Sequence, residues 1–139
     1  MNISLPPSAI IELHISVAGM LEDSESLDKL DVIELEELAH LCNDRINNRF
    51  EDITPTGICV PFTPLSATLA VTACLLRADR AAASITDVMY GRTSGEGVDA
   101  FLEWDDIQAA SSSVSDLYRI IHTISRSMRN GHTNPYLNS

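Results

Sequence analysis

Apolar positions along this chain recur mostly at intervals of three and four, the period of helices that bury one face. Four such stretches stand out. In the first, about 6–22, Ile10, Leu13, Val17, Met20 and Leu21 form one stripe. Pro6 and Pro7 suit a first helical turn, where a missing N–H costs nothing, and Asp23-Ser24 ends the helix. The second, about 28–50, carries Leu35, Leu38, Cys42, Ile46 and Phe50 on its stripe. Asp31 followed by Glu34 is compatible with a capping box, with a start near Ser26 as the alternative. In the third, Thr63 reads as an N-cap and Pro64 as the first helical residue, and the pattern continues toward Met89. Its Ala, Thr and Ser content lets neighbours approach closely, which places it centrally. The fourth, about 97–129, keeps Ile107, Val114, Leu117, Ile121, Ile124 and Met128 in register. Ser111–Ser113 is poor helix material, so a break there would give five helices. Asn130-Gly131 reads as a stop, and Arg126 and Arg129 complement the negative end of the helix dipole.

Residues 51–63 are the main irregular connection, because Pro55, Gly57 and Pro61 exclude a helix. Ile58–Phe62 can extend, but a lone strand makes no stable sheet, so a packed loop is expected. Gly91–Gly97 (GRTSGEG) reads as a turn, and 132–139 as a loose tail. The expectation is an all-α, single-domain bundle of four main helices over 1–131.

Composition changes this picture little, but charge changes it more. A chain of 139 residues, 45% hydrophobic and 21% charged, is an ordinary globular domain with a sizeable core. Residues 1–55 hold 12 acids and 3 bases, a net of −9 out of −11 for the whole chain. Those acids lie among apolar residues at helical spacing, so they describe a folded negative surface, not a disordered tail. Binding to nucleic-acid phosphates or acidic lipids is disfavoured unless Arg77, Arg80, Arg119, Arg126 and Arg129 gather on one face. Lys29 is the only lysine. Cys42, Cys59 and Cys74 are odd in number and widely spaced, which suits reduced, buried thiols in the cytoplasm and not a disulfide framework. No signal-peptide pattern and no run of 18 apolar residues is present, so no membrane partner is expected.

Candidate chemistry starts from the acids. Glu22, Asp23, Glu25, Asp28 and Asp31 straddle the first helix–helix turn, and Glu34, Glu36, Glu37 and Asp44 extend along the second helix. They read either as a solvated face with a dipole-favoured helix start or as a docking surface for a protein partner with a basic surface, steering its encounter electrostatically. The set expected to bind is Glu22, Asp23, Glu25, Asp28, Asp31, Glu34, Glu37 and Trp104, the last as an aromatic anchor. The segment 23–31 lacks the glycine and terminal bidentate glutamate of a calcium loop. His14 and His40 have no partner at metal-ligand spacing, no G-x-S-x-G elbow occurs, and GRTSGEG lacks the Lys-Ser/Thr of a phosphate loop. No cofactor is therefore expected. Self-association through an apolar helix face, giving a homodimer, is compatible with the pattern.

Two local resemblances carry alternative readings. Glu36-Glu37-Leu38-Ala39-His40 with Glu103-Trp104-Asp105-Asp106 resembles the magnesium motif of all-α nucleotide pyrophosphohydrolases, E-E-x-x-E on one helix and E-x-x-D on a later one. Magnesium takes oxygen ligands, so the resemblance implies Glu36, Glu37, Glu103 and Asp106 as the metal-binding residues of a nucleotide hydrolase. His40 stands where that motif has its third glutamate, and the second segment lies further along than the family spacing. Arg126 and His132 are similar to the R-x₄₋₆-H pattern of helical RNases of the HEPN type. The main expectation remains a non-enzymatic small acidic protein that binds and modulates a protein partner, as inhibitors, immunity proteins and chaperones do.

Overall fold

Ile3 and Leu5 alternate with Asn2 and Ser4, and that short period of two makes β1 (Asn2–Leu5), an element the helical spacing does not reveal. A computed structural model describes residues 1–48, 53–54, 57–93 and 99–137; the side chains of 53–54, 84, 86–93, 99–107 and 131–137 lie outside that description. β1 pairs antiparallel with β3 (Gly57–Pro61) in the register Ile3 with Val60 and Leu5 with Ile58, and β3 pairs with β2 (Ile53–Thr54). The strand order is β1-β3-β2. The expected packed loop at 51–63 is therefore corrected. The partner strand that Ile58–Phe62 needed comes from the chain's first residues, and a third strand comes from 53–54. Phe62 N–H donating to the Met1 carbonyl, 2.7 Å, carries the pairing one step further.

Gly57 is required by this arrangement. Its φ of +121° is left-handed, and a Cβ there would stand 2.7 Å from the Leu5 carbonyl oxygen.

The helices are α1 (Pro7–Glu22), α2 (Lys29–Asn47), α3 (Pro64–Thr93) and α4 (Asp99–Leu137), with a single 3₁₀ turn at Ser24–Ser26. The structure is thus a mostly helical bundle with a small sheet at one end. α1 begins at Pro7 as its spacing predicts. α3 has a reciprocal cap. Thr63 Oγ1 accepts from Ser66 N–H at 3.0 Å, and Ser66 Oγ accepts from Thr63 N–H at 2.9 Å.

Three expectations at the helix ends are corrected. Asp31 and Glu34 form no capping box, because α2 starts earlier, after Asp28, whose side chain caps nothing. α3 runs on through Gly91-Arg92-Thr93, into what read as a turn; 94–98 lie outside the described residues. α4 passes without a break through Ser111–Ser113, and through Asn130-Gly131 to Leu137. Serine lowers helix propensity and glycine costs about 1 kcal/mol relative to alanine, but neither terminates a helix unless the backbone turns left-handed.

The core sits where the sheet's inner face meets all four helices: Ile3, Leu5, Ile58, Val60 and Phe62 with Ile10, Leu13, Val17, Leu35, Leu38, Cys42, Leu117, Ile120 and Ile124. Ala67, Ala70, Ala73, Cys74 and Ala78 line the buried face of α3, so α1 and α4 approach it closely. α1 packs against the other three helices, while α2 and α4 sit at opposite corners with α1 and α3 between them.

Candidate partner-binding surface

The acids from the α1–α2 turn along α2 divide into three groups. Glu22, Asp23, Glu25 and Asp28 are exposed around the α1–α2 turn. Asp31 and Glu34 are only partly exposed: at 100° per residue Asp31 falls in line with the buried Leu35–Leu38–Cys42 stripe and Glu34 on its flank. Glu34 has a structural partner, accepting a 2.9 Å hydrogen bond from Thr63 Oγ1. Glu36, Glu37 and Asp44 are exposed on the outward side of α2. Of the residues expected to bind, the structure therefore brings Glu37 to the outward face of α2, gathers four at the neighbouring turn and moves Asp31 and Glu34 aside. The side chain of Trp104 lies outside the described residues.

Sequence reasoning missed Leu30 and Ile33. Leu30 is 70% exposed and Ile33 52% exposed, and at 100° per residue both share the outward face of α2 with Glu36, Glu37 and Asp44. The signal was present: neither residue belongs to the Leu35–Leu38–Cys42 stripe that buries α2. A large aliphatic off the stripe of an amphipathic helix must point to solvent or to a partner. Below this face, Glu34, Glu37, Leu38, Leu41, Pro61, Phe62, Thr63 and Ser66 line a groove of about 240 Å³ between α2 and the start of α3. Arg45 closes the far end of α2 by donating from Nε to the Cys59 carbonyl at 3.2 Å.

A second polar constellation joins three helices. Glu12 on α1 pairs with Arg77 on α3 and accepts from Ser113 Oγ on α4 at 3.2 Å. Arg77 also donates to the Glu12 carbonyl, which accepts from Ser16 Oγ at 2.8 Å. Glu12 is 15% and Arg77 29% exposed, so this junction is partly desolvated and acts as a tie between helices. Beside it, burial pushes the Cys74 thiol up to about 11, and burial likewise pushes Cys42 up to about 12. Both are held as neutral, unreactive thiols.

Among the described residues no group of three or more His, Cys, Asp or Glu is placed to hold a metal. His14 and His40 border a shallow groove between α1 and α2 with Glu36 and Asn43. Glu103 and Asp106, the second half of the magnesium resemblance, have side chains outside the described residues. Arg126 and His132 lie six positions apart on continuous helix. No helix among the described residues is long and apolar enough to cross a membrane. No protein-family model, curated protein or solved structure matches this chain.

Proposed function

We propose that this chain is a non-enzymatic binding protein whose α2 face docks a basic, amphipathic segment of a protein partner and so modulates that partner, in the manner of an inhibitor, immunity protein or chaperone. The observation that carries the reading is the pair of solvent-facing aliphatics, Leu30 and Ile33, set among Glu36, Glu37 and Asp44 on one helix face. Carboxylates alone serve equally well as a solvated surface. Aliphatics left in water beside them fit a partner that presents apolar side chains ringed by Arg or Lys. The acids at the α1–α2 turn extend the same negative field and speed the encounter.

Fully burying a Leu or Ile is worth about 1.5–3 kcal/mol, and each 1.4 kcal/mol is tenfold in affinity. Leu30 and Ile33 still have 70% and 52% of their surface to bury, worth about 2–4 kcal/mol together, so replacing both by serine is expected to weaken partner binding by roughly 20- to 400-fold. The test is affinity capture from the native host with wild type, L30S/I33S and E36K/E37K/D44K, at low and high salt. The reading predicts a captured protein with a basic surface, lost with either variant and weakened by salt. A partner set unchanged by both variants overturns it.

A further inference from the structure

Glu34 and Glu37 stand one turn apart on α2, and both line the groove of about 240 Å³ between α2 and the start of α3. Leu38, Leu41, Pro61 and Phe62 give that groove apolar walls, and the two carboxylates are the only charged groups among its lining residues. At 100° per residue Leu30, Glu34, Glu37 and Leu41 fall within about 60° of arc, so the exposed Leu30 extends the same wall by one turn. Thr63 Oγ1 donates to Glu34 Oε2 at 2.9 Å and holds that carboxylate at the edge of the groove. The Thr63 and Ser66 N–H groups are taken up by the reciprocal α3 cap, so the groove presents acceptor oxygens to a ligand.

The described cations around this groove are placed elsewhere. Arg45 Nε donates to the Cys59 carbonyl at 3.2 Å, and the Met1 ammonium donates to the Phe62 carbonyl at 2.8 Å. Lys29 opens α2 about 12 Å before Glu37 along the helix axis and about 80° around from it, and it does not line the groove. Among the described residues neither Glu34 nor Glu37 has an ion-pair partner.

We infer that this groove seats the side chain of one arginine from the partner's basic segment. The inference rests on the proposed α2 docking surface and names the group that the surface reads. At about 240 Å³ the groove is smaller than the roughly 300–1,000 Å³ of small-molecule sites, so its occupant is a single side chain. The occupant has to be apolar along its length and cationic at its tip, because apolar walls lead to two carboxylates without a countercharge. Arginine fits better than lysine. Its planar fork of five N–H donors can bond two carboxylates at once, and it is more weakly hydrated than an ammonium, so it leaves water at less cost. Its three methylenes lie along Leu41 and Pro61, and an aliphatic neighbour in the same segment covers Leu30. Glu36 and Asp44 do not line the groove and act on the partner only through their field.

The experiment is a ¹H–¹⁵N NMR titration of the full chain in about 0.1 M salt, where the Debye length is roughly 10 Å. The probes are the capped tripeptide Leu-Arg-Leu and its counterparts with lysine or with citrulline, the neutral isostere, in the middle. The arginine peptide is expected to give saturable shifts at the amides of Leu38, Leu41, Phe62 and Thr63, with a Kd on the order of millimolar for so small a ligand. The lysine peptide binds more weakly, and the citrulline peptide about tenfold more weakly or worse. E34Q/E37Q, which keeps an acceptor for Thr63 and should leave the rest of the spectrum unchanged, weakens the arginine peptide about tenfold or more, whereas E36Q/D44N changes it by less than about twofold. No saturable shift at tens of millimolar peptide overturns the inference. So does citrulline binding as well as arginine, lysine binding as well as arginine, or an equal loss in the two variants, which assigns the effect to the general negative field. Peptide that fails to seat while wild type still captures a basic partner, lost in L30S/I33S, overturns the arginine slot alone. Peptide that seats as expected while no basic partner is captured upholds the slot and overturns the proposed function.

Discussion

Replacing Gly57 by alanine puts a methyl group where the fold has no room for one, and its size can be worked from the backbone. Gly57 opens β3 with φ +121°, a region in which holding a residue with a Cβ costs about 1–3 kcal/mol. The methyl group would lie 2.7 Å from the Leu5 carbonyl oxygen, 2.9 Å from its carbon and 3.3 Å from its nitrogen. All three are backbone atoms of β1, so no rotamer change relieves the contact. Either β1 shifts or the Leu5–Ile58 pairing opens, and both residues are fully buried. Forcing a methyl into a packed site adds about 1–3 kcal/mol, and the lost freedom of the unfolded alanine chain returns only about 0.4–1 kcal/mol. The net expectation is a loss of about 1–5 kcal/mol, or roughly 3–17 °C in Tm for a chain of this size.

Urea unfolding followed by far-ultraviolet circular dichroism reads this directly as a lower midpoint. Gly19→Ala supplies the opposite sign in the same assay. Gly19 lies within α1 with nothing within 4 Å of an added Cβ, so alanine there should stabilise by about 0.5–1 kcal/mol. Gly57→Ala within about 0.5 kcal/mol of wild type would refute the claim that β1 and β3 meet in this register, because surface changes away from such contacts fall in that range.

Thr63→Ala removes the α3 cap and leaves Glu34 without its hydroxyl donor, so it should cost about 1–2 kcal/mol in urea unfolding, whereas Thr63→Ser retains most of the stability. Arg77→Met strands the partly buried Glu12 carboxylate and should cost about 1–3 kcal/mol, with Arg77→Met/Glu12→Gln recovering part of it by the same measurement. Cys59 should react first with a thiol reagent at pH 8, while Cys42 and Cys74 react only on unfolding. Their folded-state values stand above the unfolded one of 9.0, so the folded chain holds more protons between them. The thiols' contribution to stability should therefore be constant below about pH 9 and be lost as pH rises through 11 to 12, and Cys42→Ala/Cys74→Ala should flatten that fall in urea titrations at each alkaline pH.

The helices were legible because each buries one stripe and the stripe repeats. Leu13 and Val17, Leu38 and Cys42, and Leu117 and Ile124 all reach the core at the positions their spacing gives. Thr63-Pro64 marked the start of α3 because a cap is a local event, complete within four residues. The sheet was not legible in the same way. Its strands are short, and β1 lies more than fifty residues from the partner that stabilises it. The period-two signal was present in both halves, in Ile3 and Leu5 and again in Ile58, Val60 and Phe62. Four residues of alternation carry little weight until the opposite strand is known.

The proposed binding surface shows the same asymmetry. Counting acids located the negative end of the molecule, but charge has no direction in a sequence. Only the helix phase shows that Asp31 and Glu34 turn toward the bundle while Glu36, Glu37 and Asp44 face outward. The sharper indicator was apolar. Once Leu35, Leu38 and Cys42 are assigned to the core, Leu30 and Ile33 have no place in it, and that mismatch depends on phase alone. Applied to α4, phase separates Leu117, Ile120 and Ile124 from Arg119, Arg126 and Arg129 and turns three scattered arginines into one stripe. A net charge of −11 conceals that grouping, because a sum over the chain averages helix faces that point in different directions.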